Sequence, residues 1–345
     1  MDRKPITRRE FLKLAGLGLG SLSLSKFSLP YFRDNFSLPD FPQSDLLGRA
    51  ARGSLEIKSR PDFNSSTVGL LYEDNVAPWL REVVGDTLTM AFNNQRWVET
   101  PDGFVYGQFF QPVRNQPNTP VTELPPSSLG PGMWVEVTVP YADVVPANDP
   151  SPKSWVEALV EQNLPVRVYY SQIFWVDMIR KNDAGQVLYR INPNYYGGLD
   201  LLWGPAEAFR PITADEIAPI HPGAENKRIE VNLTEQIVTA YEGDRAVFAS
   251  RTATGARFKD GDFRTKPGRY TTNRKRPSRH MAAGEPGIGS GFDLPGVPWV
   301  CYLTESGVSL HGTYWHNDFG SPRSHGCINL PTLAARWFYR WCSPS

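Results

Sequence analysis

Short runs that alternate apolar and polar residues recur along this chain, and each is cut by proline, glycine or a turn-forming pair before a long helix can develop. Gly53-Ser54-Leu55-Glu56-Ile57, Met133-Trp134-Val135-Glu136-Val137-Thr138-Val139, Val166-Arg167-Val168-Tyr169-Tyr170 and Arg228-Ile229-Glu230-Val231-Asn232-Leu233 all follow this pattern. A period of two sends successive side chains to opposite faces of a pleated strand, which suits half-buried sheets. Turn chemistry separates the runs. Thr100-Pro101-Asp102-Gly103 joins Gln95–Glu99 to Phe104–Gly107, and Asn182-Asp183-Ala184-Gly185 joins Phe174–Ile179 to Val187–Ile191. With 31 prolines and 29 glycines in 345 residues, the pattern argues for a mostly β chain of several modules.

Composition shifts divide the chain. Residues 26–46 read as an extended spacer, and residues 47–114 as a first β module closing on Phe109-Phe110-Gln111-Pro112-Val113. Residues 115–132, rich in Pro, Ser and Asn, read as a linker. Residues 133–213 form a second module whose end, Ala208-Phe209-Arg210-Pro211-Ile212, echoes the first; a single irregular β domain is the alternative. Residues 214–226, with Pro219, Pro222 and Gly223, read as a further linker before a catalytic domain at 227–342. The strand-and-turn pattern of residues 47–114 resembles bacterial SH3-like wall-binding modules, and the second module is expected to be another SH3-like or β-rich unit.

The first 25 residues read as an address. Arg3, Lys4, Arg8, Arg9 and Lys13 precede the apolar run Leu14–Leu24, which is too short to span a bilayer comfortably. Thr7-Arg8-Arg9-Glu10-Phe11-Leu12-Lys13 resembles a twin-arginine export signal and implies an extracytoplasmic location in the cell envelope. No small-x-small cleavage site stands out before Lys26, so the segment is either cut later or kept as a membrane anchor. Lys+Arg and Asp+Glu balance at 36 each, which gives no global field for nucleic acid. Cys301, Cys327 and Cys342 are an odd set, so they are not a complete disulfide framework. Cys301 and Cys342 sit among aromatic and aliphatic neighbours and are expected to be buried thiols rather than a disulfide.

Cys327 carries the chemistry. It follows Ser324-His325-Gly326 and lies downstream of His311-Gly312. A neighbouring imidazole can take the thiol proton and leave the thiolate that attacks acyl carbons. Two histidines compete for that base: His325 is nearer in sequence, while His311 ends a strand-like run and can face Cys327 from a neighbouring strand. Backbone N–H groups of Gly326 and Cys327 are the candidate oxyanion donors. Metal binding is disfavoured, because the spacing of His311, His316, His325 and Cys327 matches no familiar structural zinc pattern.

Ile229-Glu230-Val231-Asn232-Leu233-Thr234-Glu235-Gln236, the turn Thr265-x-x-Gly268-x-Tyr270, His311-Gly312 and Ser324-His325-Gly326-Cys327-Ile328-Asn329-Leu330 together resemble an L,D-transpeptidase catalytic domain of the YkuD type. The resemblance implies a β-sandwich with Cys327 as nucleophile and His311 as general base. The carbonyl of Gly312 orients that base, and His325 is left in a supporting role. It also implies that Asn329 helps shape the substrate site, although Asn329 could equally cap the helix after Pro331. Ser324 joins the expected substrate-binding set, and Trp315 and Tyr314 line an acceptor channel or pack as a lid. The implied substrates are peptidoglycan stem peptides, as donor and acceptor. Cys327 would attack the third stem residue, expel D-alanine and pass the acyl group to a neighbouring amine in a 3→3 cross-link. No cofactor is required, and carbapenem-type inhibitors are expected to acylate Cys327. An L,D-carboxypeptidase that uses water, or a wall-binding protein without catalysis, are the rival readings.

Three further features are less committed. The basic stretch Arg264–His280 either steers anionic substrate or is a solvated loop. Ala282–Gly296 is a candidate flap. Leu333, Trp337 and Trp341 form a stripe at helical spacing, expected to pack in the core.

Overall fold

The computed structural model describes residues 36–86, 94–127, 130–152, 154–193, 200–283 and 292–344. The export-signal segment and residues 284–291 of the candidate flap lie outside the described residues. The fold is mostly β. Among the described residues no helix is long and apolar enough to cross a membrane.

Residues 47–113 contain β1 (Leu47–Ala50), β2 (Ser54–Lys58), β3 (Thr67–Tyr72), β4 (Val76–Pro78), β5 (Arg81–Val84), β6 (Arg96–Thr100), β7 (Gly103–Tyr106) and β8 (Phe110–Val113). They form two sheets, ordered β4-β1-β8 and β3-β2-β7-β6-β5, over one core that includes Ile57, Trp79, Val98 and Phe110. The Phe110 ring stacks on Trp79 and lies across Gly48, where an added Cβ would sit 2.1 Å from Phe110 Cζ. Only glycine leaves room for that ring.

The next module comprises β9 (Met133–Val137), β10 (Tyr141–Pro146), α1 (Trp155–Glu161), β11 (Val166–Tyr169), β12 (Ile173–Lys181), β13 (Val187–Asn192), β14 (Leu202–Pro205) and β15 (Phe209–Pro211). Its strands form one sheet, ordered β11-β10-β14-β13-β12-β9-β15. The repeated closing pentapeptides take equivalent places. β8 pairs antiparallel with the opening strand β1, with Pro112 opposite Gly48, and β15 pairs with the opening strand β9, with Pro211 opposite Val135. Both are edge strands, where proline's missing donor does no harm.

The connecting segments are tied down. In the spacer, Phe41 is buried against Tyr141. Asn118 and Val121, in the stretch read as the first linker, hydrogen-bond Thr138 and Tyr189. Thr213 and Glu216 form a capping box that opens α2 (Ala214–Ile217) within the second linker. Glu216 also ion-pairs with Arg210 and Arg336, at 2.8 Å each.

The last part opens with the antiparallel meander β16 (Lys227–Asn232), β17 (Ile237–Glu242) and β18 (Arg245–Arg251). A short hairpin, β19 (Arg257–Phe258) and β20 (Gly261–Asp262), leads to a second sheet ordered β21-β22-β23-β24. Its strands are β21 (Arg274–Ala283), β22 (Phe292–Tyr302), β23 (Ser309–Gly312) and β24 (Ile328–Leu330), and α3 (Thr332–Trp341) follows. Val238 and Ala240 of the meander share one core with Trp299, Cys301, Leu310, Ile328 and Leu330 of the second sheet and with the helix.

Three local expectations are corrected. Leu333 is 79% exposed, and the buried face of α3 is Ala334, Ala335, Phe338, Tyr339 and Trp341. Asn329 does not cap this helix; Pro331 occupies the N-cap. The basic stretch is not a loop throughout, because from Arg274 onward it is strand β21, paired with β22. Arg274 lies over the Tyr302 ring and pairs with Glu305, so cationic stems cover the apolar surface while their heads are neutralised.

Candidate active site

β23 and β24 run parallel, with Leu310 opposite Ile328 and His311 opposite Asn329. This pairing brings the end of one strand beside the loop that delivers Cys327 to the start of the other. The strand period places Ser309 and His311 on one face of β23. Cys327 Sγ lies 3.7 Å from Ser309 Oγ and 3.8 Å from the Gly307 carbonyl. His311 lies close enough to act on the same thiol electrostatically. Burial pushes the Cys327 thiol up, but His311, with hydrogen bonds from Ser309, overrides it and leaves it below the ordinary cysteine value. Cys327 is partly exposed, whereas His311 is buried.

His311 Nδ1–H donates to the Gly312 carbonyl at 2.9 Å. A carbonyl can only accept, so Nδ1 carries the proton and the neutral ring keeps the Nε2 lone pair for the thiol. Gly312 itself is boxed in: an added Cβ would lie 2.8 Å from Pro298 Cγ and 3.3 Å from Thr332 Cα.

The loop that carries Cys327 is built by hydroxyls. Ser324 Oγ accepts from the Gly326 N–H at 3.1 Å and donates to the Cys327 carbonyl at 2.5 Å. Thr265 Oγ1 donates to the Gly326 carbonyl and accepts from the Gly255 N–H, both at 2.8 Å. Gly326 turns through φ +119°, a region that favours glycine. These bonds correct two expectations. The Gly326 N–H is taken up by Ser324 rather than open to an oxyanion, which leaves the Cys327 N–H as the candidate donor. Ser324 is itself buried and shapes the loop instead of facing substrate.

The other expected residues divide between site and scaffold. His325 is exposed, with its ring stacked 4.6 Å from Phe258 and close to Phe263 and Phe292, so its described partners are aromatic. Trp315 lies partly buried with its ring 5.8 Å from that of His311. Tyr314 does not line a channel: it is buried, its hydroxyl donates to the Pro295 carbonyl, and its ring stacks on Tyr169. His316 is also buried. Its Nδ1 accepts from the Asp318 N–H at 3.1 Å, so the neutral ring holds its proton on Nε2, 3.0 Å from the Asn329 side-chain amide. The Asn329 atom placed there is the amide nitrogen, with the amide oxygen buried and unpartnered; because the ring proton needs an acceptor, we assign the amide turned over, with its oxygen toward the ring. Burial, with the charges of Arg323 and His311, lowers His316 to about 3.

Cys301 and Cys342 are buried free thiols, and the Cys342 thiol beside it together with burial raises Cys301 well above the ordinary cysteine value. Among the described residues no group of three or more His, Cys, Asp or Glu gathers as a metal site. His280 pairs with Asp293, and His221 with Glu242. Ser309 was not anticipated, although its two-residue spacing from His311 is a readable signal. Thr265 stood out in the sequence without a role.

Residues 226–345 match the YkuD family model, the L,D-transpeptidase catalytic domain, and this part of the chain is such a domain. Solved structures with similarity to the chain include an L,D-transpeptidase from Mycobacterium smegmatis, at 20% identity over 48% of this chain and 87% of that one (TM-score 0.29). A mutant L,D-transpeptidase of Enterococcus faecium is 21% identical over 39% of this chain and 53% of its own (TM-score 0.30). One from Mycobacterium tuberculosis H37Rv is 14% identical over 49% and 85% (TM-score 0.27). Among curated proteins there is no significant match.

Proposed function

We propose that the chain is an exported peptidoglycan L,D-transpeptidase working through a cysteinyl thioester. The observation that carries this reading is the His311 Nδ1–H bond to the Gly312 carbonyl, which leaves Nε2 free to act on a thiol already biased toward its anion. His311 takes the Cys327 proton, and the thiolate attacks the carbonyl of the third stem residue, typically a diamino acid such as diaminopimelate. The Cys327 N–H receives the developing oxyanion. The bond to the terminal D-alanine breaks, and its amine leaves with the proton held by His311. An amine on a neighbouring stem then attacks the thioester, forms a 3→3 amide and restores the thiol. Arg8-Arg9 and the apolar run behind them support an envelope location, and the β modules upstream support a wall-binding role.

The test uses purified muropeptides and mass spectrometry. Dimers that form with the wild-type chain and disappear with Cys327→Ala support transpeptidation. Trimmed tripeptides alone indicate that water is the acceptor. Dimers retained in Cys327→Ala overturn the cysteine mechanism. A carbapenem should add its mass to the peptide that carries Cys327.

A further inference from the structure

Three successive carbonyls follow the His311 side chain, and each is held. The first, Gly312, accepts from His311 Nδ1–H. The second, Thr313, accepts from Gln111 Nε2–H at 3.4 Å, and the third, Tyr314, from Arg49 Nη2–H at 3.1 Å. Gln111 lies on β8 and Arg49 on β1, both in the first module and both buried. Arg49 is fixed in turn by Asp74 at 2.8 Å and lies over the Tyr169 ring. A buried guanidinium persists only when it is paired in this way.

The grip continues along the loop. Asn317 N–H donates to the Gln108 carbonyl at 2.8 Å, and Asn317 Nδ2–H to the Phe110 carbonyl at 3.2 Å. The buried Asp318 carboxylate accepts from Asn94 at 3.1 Å, from Gln108 at 3.3 Å and from Arg323. Asp318 N–H holds His316, His316 faces Asn329, and Asn329 lies opposite His311 in the parallel register. Contacts from a module more than two hundred residues upstream thus meet the histidine from both sides.

We infer that the first module is a clamp on the catalytic loop, with Gln111 and Arg49 as positioning residues that set the His311 ring against Cys327. This goes beyond wall binding by that module and rests on the reading of His311 as the base. A peptide plane left free at Thr313 would let the Gly312 carbonyl, and the imidazole bound to it, leave the thiol.

The full-length chain with Gln111→Met tests this. Gln111 Oε1 is buried without a partner, so methionine of similar shape removes an unsatisfied acceptor along with one long hydrogen bond. The expected result is a melting temperature near wild type, acylation by imipenem slowed about tenfold, and a pH profile of Cys327 alkylation by iodoacetamide displaced upward. Alkylation is read on the Cys327 peptide by mass spectrometry. Arg49→Lys keeps the charge beside Asp74 but loses the fork that reaches Tyr314, and should move the profile the same way. Wild-type acylation and profile in both variants overturn the clamp, as does slowing that only tracks loss of folded protein. His311→Ala is the control. If it displaces the profile and neither Gln111→Met nor Arg49→Lys does, the clamp alone fails; if it leaves the profile unmoved, the base assignment fails and the clamp with it.

Discussion

Thr265→Val isolates what the nucleophile loop needs. The Thr265 hydroxyl bridges the Gly255 N–H and the Gly326 carbonyl at 2.8 Å each, and valine keeps its branched shape without the oxygen. Two hydrogen bonds at roughly 1 kcal/mol each are lost, and water partly replaces them because Thr265 is only partly buried. The expected loss of stability is therefore about 1–2 kcal/mol in a urea melt. The catalytic effect follows from peptide planarity: the Gly326 carbonyl and the Cys327 N–H belong to one rigid unit. Releasing the carbonyl releases the donor proposed for the oxyanion. Deleting such a donor outright costs about 100- to 1000-fold, so loosening it should slow acylation by about tenfold. Stopped-flow fluorescence with imipenem reads that rate, and Thr265→Ser should restore it. A valine variant that loses the expected stability yet acylates at the wild-type rate would show that the hydroxyl serves only the fold. The Cys327 N–H would then not be the donor.

Gly312→Ala should lower the melting temperature by the equivalent of about 1–3 kcal/mol, since its Cβ would press on Pro298 Cγ at 2.8 Å; an unchanged melt would mean that Pro298 yields freely. His316 is held at about 3 in the folded chain against 6.5 for the free group, so the unfolded chain binds the extra proton between those values. Its contribution to stability is complete above pH ~6.5 and falls as the pH drops toward ~3, by up to about 1.4 kcal/mol per unit. Urea melts at several pH values should show that slope shrinking in His316→Gln, and an unchanged slope would assign it to other groups. In the native protein a thiol reagent should label Cys327 rapidly and the buried Cys301 and Cys342 only on unfolding; three fast-reacting thiols would contradict their burial.

What the sequence revealed was local, and what it concealed was either long-range or obscured by charge. The meander was readable to within a residue, because Arg228–Leu233 alternates cleanly and the strand occupies Lys227–Asn232. Cys327 and His311 stood out because few side chains perform acyl transfer and glycines flank both. β21 was obscured by the charges of Arg274, Lys275, Arg276 and Arg279, and the Tyr302 and Tyr339 rings that Arg274 and Lys275 lie over are not visible in local pattern. Of the stripe at helical spacing in α3, Trp341 is buried and Trp337 packs against the same core, while Leu333 faces solvent and the small Ala334 and Ala335 take up the buried face instead. Thr213-x-x-Glu216 was a legible capping box inside a segment taken for a linker. The grip of Gln111 and Arg49 on the His311 loop has no signature in local pattern, since its partners meet only after both domains have folded.

The histidines at 311, 316 and 325 show why spacing alone could not assign their roles. The outcome depends on what the backbone offers each ring. His311 Nδ1 meets a carbonyl, so it must donate, and the opposite nitrogen keeps the lone pair that the proposed base needs. His316 Nδ1 meets an amide N–H, so it must accept, and the opposite nitrogen becomes a donor spent on Asn329. Burial then denies His316 a charge, which in the proposed mechanism keeps a second cation away from His311 when it takes the thiol proton. His325, nearest Cys327 in sequence, is engaged by Phe258, Phe263 and Phe292. One carbonyl, that of Gly312, thus separates the proposed base from its neighbours, and the two carbonyls after it are held by the first module. The catalytic assignment and the domain arrangement therefore rest on the same short stretch of backbone.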